Sequence, residues 1–83
     1  MKALTLYGRP GCHLCDDMRA ALADFQARFD VSLREVDIDS DPVLAQRYGR
    51  LIPVLADAQG EICHYFLDPA ALTQRLAGST GNG

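Results

Sequence analysis

Cys12 and Cys15, in the segment RPGCHLC, are the residues whose type and spacing most directly suggest chemistry. In the first turn of a helix, side chains three residues apart share one face. Their Cα atoms then lie within the roughly 4.4–6.8 Å that a disulfide spans. The spacing therefore suits a redox-active disulfide, in which one sulfur attacks a substrate disulfide and the other releases the product.

The two thiols should differ in acidity. At the start of a helix, Cys12 would face unpaired backbone N–H groups and the positive end of the helix dipole, both of which favour a thiolate. We therefore expect Cys12 to be the more acidic thiol and the nucleophile, and Cys15, deeper in the turn, to be the resolving cysteine. Arg9 and a protonated His13 would support the thiolate, whereas the two aspartates after Cys15 would oppose it.

The same cysteines could instead bind a metal ion. Cys63 and His64 would complete a Cys₃His ligand set with them. Adjacent residues on a strand point to opposite faces, however, and a single Cys-x-x-Cys without a second spaced pair is weak evidence for zinc. An iron–sulfur cluster shared between two chains stays open as an alternative. For Cys63 we expect packing beneath a helix, and for His64 an exposed position on an edge strand.

The first half of the chain predicts the strand and the helix that position the pair. Lys2–Tyr7 is a strand candidate that ends at glycine and proline breakers. From Cys12 to Phe29, apolar residues recur at intervals of three and four, which is typical of an amphipathic helix of about four turns. Val31–Ile38 predicts a second strand whose apolar residues change phase halfway. A bulge, or burial of both faces, would explain this change.

Turn and capping residues divide the second half into further elements. Asp41-Pro42 and Asp68-Pro69 each combine a capping side chain with proline in the first helical turn. The predicted elements are a helix ending at about Tyr48 before Gly49, a strand over 52–56, a turn over 57–60, a strand over 61–66 and a helix ending at Gly78. The order β-α-β-α-β-β-α predicts a right-handed parallel crossover followed by an antiparallel hairpin. We predict one domain over residues 1–78 and a flexible tail over 79–83.

Length and charge restrict the function classes. The 83 residues allow one domain, and a net charge of −3 without a Lys/Arg run predicts neither a nucleic-acid partner nor a membrane partner. No segment reaches the ~18–20 apolar residues of a membrane span, and the N-terminus lacks the pattern of a signal peptide. An odd number of cysteines argues against a disulfide-stapled secreted scaffold. We therefore expect a cytoplasmic protein.

Several motifs together resemble glutaredoxin, within the thioredoxin-fold superfamily. They are the opening LTLYGRPGCHLC, the element order, the IPV before a hairpin and the short final helix. The chain is most similar to small bacterial glutaredoxin-like proteins, and the resemblance extends to Leu76. It implies an α/β, thioredoxin-like fold with a four-stranded mixed sheet, in strand order 2-1-3-4, flanked by three helices.

The resemblance also implies a substrate site around the cysteines. Pro53 would follow a cis peptide bond and lie beside Cys12, and the backbone of Ile52 would pair with an extended thiol substrate. Tyr7 and Arg9 would line the approach. The substrate-binding residues that we predict are Tyr7, Arg9, His13, Ile52 and Pro53.

Three departures from the glutaredoxin pattern affect specificity. His13-Leu14 replaces the usual Pro-Tyr between the cysteines, and Leu51-Ile52 replaces the usual Thr-Val before the proline. Leu67-Asp68 lies where a glycine pair normally holds glutathione, and alanines lie where acidic residues normally follow. The usual glutathione-binding motif is therefore not present, although glutathione could still serve as reductant.

The sequence thus predicts a thiol–disulfide oxidoreductase in cell redox homeostasis. Its partners would be protein or small-molecule disulfides, with glutathione or a reductase as electron donor, and no bound cofactor or metal. Two alternatives stay open: a metal or iron–sulfur protein that uses the same cysteines, and a partner-binding module of thioredoxin fold with little turnover.

Overall fold

The predicted order of elements is confirmed. A computed structural model of the protein describes residues 2–81. Its elements are β1 (Lys2–Gly8), α1 (His13–Arg28), β2 (Val31–Asp37), a 3₁₀ turn (Ile38–Ser40), α2 (Pro42–Tyr48), β3 (Val54–Asp57), β4 (Gly60–His64) and α3 (Pro69–Gly81). None of the helices in this part of the chain combines the length and the apolarity that crossing a membrane requires.

The four strands form one mixed sheet in the order β2-β1-β3-β4. β1 runs parallel to β2 and antiparallel to β3, and β3 and β4 form an antiparallel hairpin. The fold class and the strand order that the resemblance implies are therefore confirmed. β1 lies between β2 and β3, so it is an interior strand of the sheet. Its C-terminal end comes directly before the cysteine pair.

One apolar cluster joins α1 and α3 to one face of the sheet. Met18, Leu22 and Phe25 recur at helical spacing along α1, and Leu72 and Leu76 do the same along α3. They are buried with side chains of the strands, namely Leu4, Leu6, Val31 and Leu55. Each such side chain contributes about 1.5–3 kcal/mol when it is fully buried, so this cluster fixes the position of α1 on the sheet.

The phase change in β2 comes from burial on both faces. The pairing of β2 with β1 is regular from Lys2–Val31 to Gly8–Asp37, so β2 contains no bulge. Val31 packs in the core cluster beneath α1, whereas Val36 pairs with Tyr7, on the opposite face. The strand ends at Asp37 rather than at Ile38, because the chain enters the 3₁₀ turn, where Ile38 is completely buried.

Three further predicted boundaries are wrong by two residues or more. β3 begins at Val54 rather than at residue 52, since the proline at 53 cannot donate to a strand neighbour. β4 ends at His64 rather than at residue 66, because Tyr65 leaves the extended conformation. α3 continues to Gly81, because a glycine permits a helix end at residue 78 but does not impose one. The predicted domain boundary therefore falls inside a helix; Asn82 and Gly83 lie outside the described residues.

Candidate active site

The cysteine pair forms the N-terminal end of α1. Cys12 is the capping residue, with an extended backbone, and its Sγ accepts a hydrogen bond of 3.1 Å from the backbone N–H of Cys15. Sulfur thus takes the place that a serine or aspartate oxygen usually has at a helix start. The two Cα atoms lie 5.2 Å apart, and the sulfurs are joined as a disulfide. The pair therefore has the geometry of a redox couple.

The two sulfurs differ in accessibility. Cys12 is half-buried, whereas Cys15 is 2% exposed. A Cβ atom added to Gly8 would lie 2.7 Å from the Sγ of Cys15, so glycine is required for the sulfur to pack against β1. A disulfide on another molecule could therefore reach Cys12 before Cys15.

The proline loop lies next to this pair. Tyr7 pairs with Val54, so the next residues, Gly8 and Pro53, lie opposite each other at the end of the sheet. The Ile52–Pro53 peptide bond is cis, as the resemblance implies. The ring of Pro53 is fully buried, so this residue positions the loop rather than touching a substrate.

Ile52 can offer a substrate only part of the predicted backbone pairing. Its N–H already donates to the carbonyl of Tyr48, at 3.1 Å. A peptide lying along the loop would therefore bond to the carbonyl oxygen of Ile52. The side chain of Ile52 is half-buried.

Tyr7 and Arg9 also have partners within the chain. The ring of Tyr7 stacks on that of Tyr48, with centroids 4.5 Å apart, and Arg9 forms an exposed ion pair of 3.0 Å with Asp39. These contacts attach α2 and the 3₁₀ turn to the end of β1. His13 is exposed between the cysteines. Sequence reasoning missed Tyr48; the available indication was an aromatic residue closing the helix that precedes IPV.

A cleft of about 240 Å³ borders Cys15 on the side of α1 and β2. Two of its lining residues, Arg19 and Glu35, form an ion pair of 2.7 Å. Hydrogen bonds from Arg19 to Glu35, and then to Asp16, raise the pKa of Arg19 and keep it charged. The cleft was not predicted, because α1 and β2 contribute residues that are distant in the sequence.

Cys63 and His64 point away from each other. Cys63 pairs with Leu55 of the core face and packs against the core cluster, as predicted, and burial raises the pKa of its thiol. His64 is exposed, and its Nδ1 lies 2.5 Å from a carboxylate oxygen of Glu61. Within residues 2–81, no three His, Cys, Asp or Glu side chains are grouped as a metal site requires.

Leu67 and Asp68 have structural roles before α3. Leu67 packs against the core cluster, and the carboxylate of Asp68 accepts a hydrogen bond of 3.1 Å from the backbone N–H of Ala71. This cap is the predicted one. The position where a glutathione-binding glycine pair would lie is therefore filled by two side chains, one of them negatively charged.

A mixed sheet in this order, three helices and a cysteine pair capping the first helix define a glutaredoxin-like protein of the thioredoxin superfamily. The chain belongs to the family described as the glutaredoxin-like domain (DUF836), whose family model matches residues 3–77. A comparison with curated proteins finds no match.

Solved structures of similar proteins share the fold. Protein Ne2328 from Nitrosomonas europaea is 38% identical, with 90% of this chain and 91% of that chain covered and a TM-score of 0.84. Protein XcR50 from X. campestris is 39% identical, with 90% and 96% covered and a TM-score of 0.73. The oxidised form of mitochondrial thioredoxin 3 from Saccharomyces cerevisiae is 25% identical, with 93% and 77% covered and a TM-score of 0.62.

Proposed function

We propose that this protein is a thiol–disulfide oxidoreductase that acts through Cys12 and Cys15. The observation that carries the proposal is the placement of the pair at the start of α1, with Cys12 half-buried and Cys15 buried beside it. Membership in a glutaredoxin-like family supports redox chemistry of this kind. A cytoplasmic location, where thiols are kept reduced, would keep the pair ready to act.

The reaction has two exchange steps. In the first, the Cys12 thiolate attacks one sulfur of a substrate disulfide; a Cys12–substrate bond forms, the substrate S–S bond breaks, and the leaving thiolate takes a proton from water. In the second, Cys15 loses its proton and attacks the Cys12 sulfur, which releases the second substrate thiol. Two electrons and two protons pass to the substrate, and the Cys12–Cys15 disulfide remains.

Backbone groups at the start of α1 supply the stabilisation that this chemistry needs. The N–H of Cys15 donates to the Cys12 sulfur, and the positive end of the helix dipole faces the same atom. Both interactions favour Cys12 as an attacking thiolate and as the leaving group when Cys15 attacks. The buried position of Cys15 keeps its reaction intramolecular.

The substrate would lie along the loop of residues 52–53. The carbonyl of Ile52 would accept a hydrogen bond from it, while Tyr7, Arg9 and His13 would border the approach. An outside reductant, glutathione or a reductase, would restore the dithiol. We expect glutathione to bind weakly. The resemblance to glutaredoxin implies that the γ-glutamyl end of glutathione would bind at the start of α3, where the Asp68 carboxylate caps the helix and would repel it.

Single-turnover mixing of the reduced protein with a small aromatic disulfide tests the proposal. Cys12→Ser should abolish reaction at the pair, and Cys15→Ser should stop at a mixed disulfide on Cys12, visible as added mass. Cys63→Ser is the matched control and should react like the wild type. If the Cys12→Ser variant exchanges at the wild-type rate, the proposal is wrong.

A further inference from the structure

Two aromatic residues continue the candidate site across the end of the sheet. Val54 pairs with His64, and the next residue of that chain segment, Tyr65, donates its N–H to the carbonyl of Pro53 at 2.9 Å. Gly8 lies on the other side of Pro53. Tyr65 and Phe66 therefore lie directly beside the proline loop, on the side away from Gly8.

The backbone at Tyr65 is held in an unusual conformation. Its φ is 66°, in the left-handed region that a residue with a Cβ atom rarely adopts and that clusters at functional sites. Three hydrogen bonds hold the segment: the one to Pro53, one from the Tyr65 hydroxyl to the carbonyl of Arg50 at 2.8 Å, and one from the Phe66 N–H to the carbonyl of His64 at 2.8 Å. The turn keeps Phe66 at the surface while Leu67 packs inward.

The result is an exposed aromatic surface next to the site. Phe66 is 67% exposed and Tyr65 41% exposed, and both are among the large apolar side chains at the surface of the described residues. A polypeptide bonded to the carbonyl of Ile52 would run past this surface. The Asp68 carboxylate, two residues after Phe66, would repel the carboxylates of a small anionic disulfide.

We propose that Tyr65 and Phe66 bind a large apolar side chain that lies beside the reactive cysteine of an extended polypeptide substrate. The inference rests on the proposed function and names its substrate class: disulfides of proteins rather than glutathione disulfide. The chemistry is unchanged: the peptide disulfide gains two electrons from the sulfurs of Cys12 and Cys15, and its two thiols take their protons from water and from Cys15.

Two synthetic peptides of equal length test this inference. Each carries one intramolecular disulfide, and the residue next to one cysteine is Leu in the first peptide and Ser in the second. Reduced protein is mixed with each peptide, and the second-order rate constant is followed by mass spectrometry. We expect the Leu peptide to react about ten-fold faster with the wild type, because its side chain is removed from water against Phe66.

Variants at exposed positions show whether Phe66 causes the faster reaction of the Leu peptide. Phe66→Ala should lower the rate for the Leu peptide to that for the Ser peptide, and Phe66→Leu should keep most of the preference. Val43→Ala, which removes a side chain that is also 67% exposed, should behave like the wild type. If Phe66→Ala keeps the preference for the Leu peptide, the inference about Tyr65 and Phe66 is wrong, but the proposed function is not affected. If the wild type reduces neither peptide nor the small aromatic disulfide, the proposed function itself fails.

Discussion

The sulfur of Cys15 packs so closely against Gly8 of β1 that a Cβ atom at residue 8 would lie 2.7 Å from it. This contact joins the redox pair to the central part of the sheet. It also places Cys15 next to the residue opposite Pro53. β1 and α1 therefore meet at this sulfur atom.

Gly8→Ala should destabilise the protein by about 1–3 kcal/mol, because the new methyl group would overlap the Cys15 sulfur and neither β1 nor α1 can shift freely. Urea unfolding of the reduced protein measures the change. In a Cys15→Ala background, where the sulfur is absent, most of this cost should disappear. An equal cost in both backgrounds would show that the contact with Cys15 is not its cause.

The three cysteines should differ in their reaction with iodoacetamide when the protein is reduced. Burial raises the pKa of Cys63, so at neutral pH its thiol holds a smaller fraction of reactive thiolate than an ordinary cysteine. Its modification should be slow near pH 7 and should accelerate as the pH rises towards that higher pKa. Cys12 should react first at every pH. Peptide mass mapping after timed alkylation measures the order, and faster modification of Cys63 than of Cys12 at neutral pH would contradict it.

Arg75 should stabilise the packing of α3 on the β3–β4 hairpin. Its guanidinium pairs with Asp57 and donates to the carbonyl of Glu61 at 3.2 Å, and both members of the ion pair are largely shielded from water. We expect Arg75→Met to lower the free energy of unfolding by about 1–3 kcal/mol, because the carboxylate and carbonyl lose their donor.

Arg19→Met is the matched control for Arg75→Met. Arg19 also pairs with two acidic groups, but all three side chains are about half exposed. Its removal should cost about 1 kcal/mol or less, because water replaces the lost contacts. Urea unfolding of both variants compares them, and equal costs would show that the shielded position of Arg75 has no effect.

Local patterns predicted most of the fold. Met18, Leu22 and Phe25 showed the buried face of α1 through their spacing, and Asp41 and Asp68 were identified as caps because each acts on a backbone N–H two or three residues away. One of the wrong boundaries, the end of β4, depends on interactions distant in the sequence. Tyr65 leaves β4 in a conformation held by hydrogen bonds to Pro53 and Arg50.

The same distinction applies to the candidate site. The cysteine pair and its position at a strand–helix junction could be predicted, because spacing and neighbouring residues determine them. The stacking of Tyr7 on Tyr48 and the pairing of Arg19 with Glu35 could not, since each joins two elements whose contact a single sequence does not reveal. The ion pair of Arg9 with Asp39 could not be predicted for the same reason.

The redox equilibrium of Cys12 and Cys15 in a series of glutathione buffers, read by mass spectrometry, tests the proposed dithiol–disulfide chemistry most directly. We expect a reversible two-electron transition between the dithiol and the intramolecular disulfide, with Cys63 unchanged, at a potential near the roughly −200 to −230 mV of glutaredoxins. If no Cys12–Cys15 disulfide forms in any buffer, and anaerobically purified protein carries metal on these cysteines instead, the pair is a ligand set and the account is wrong.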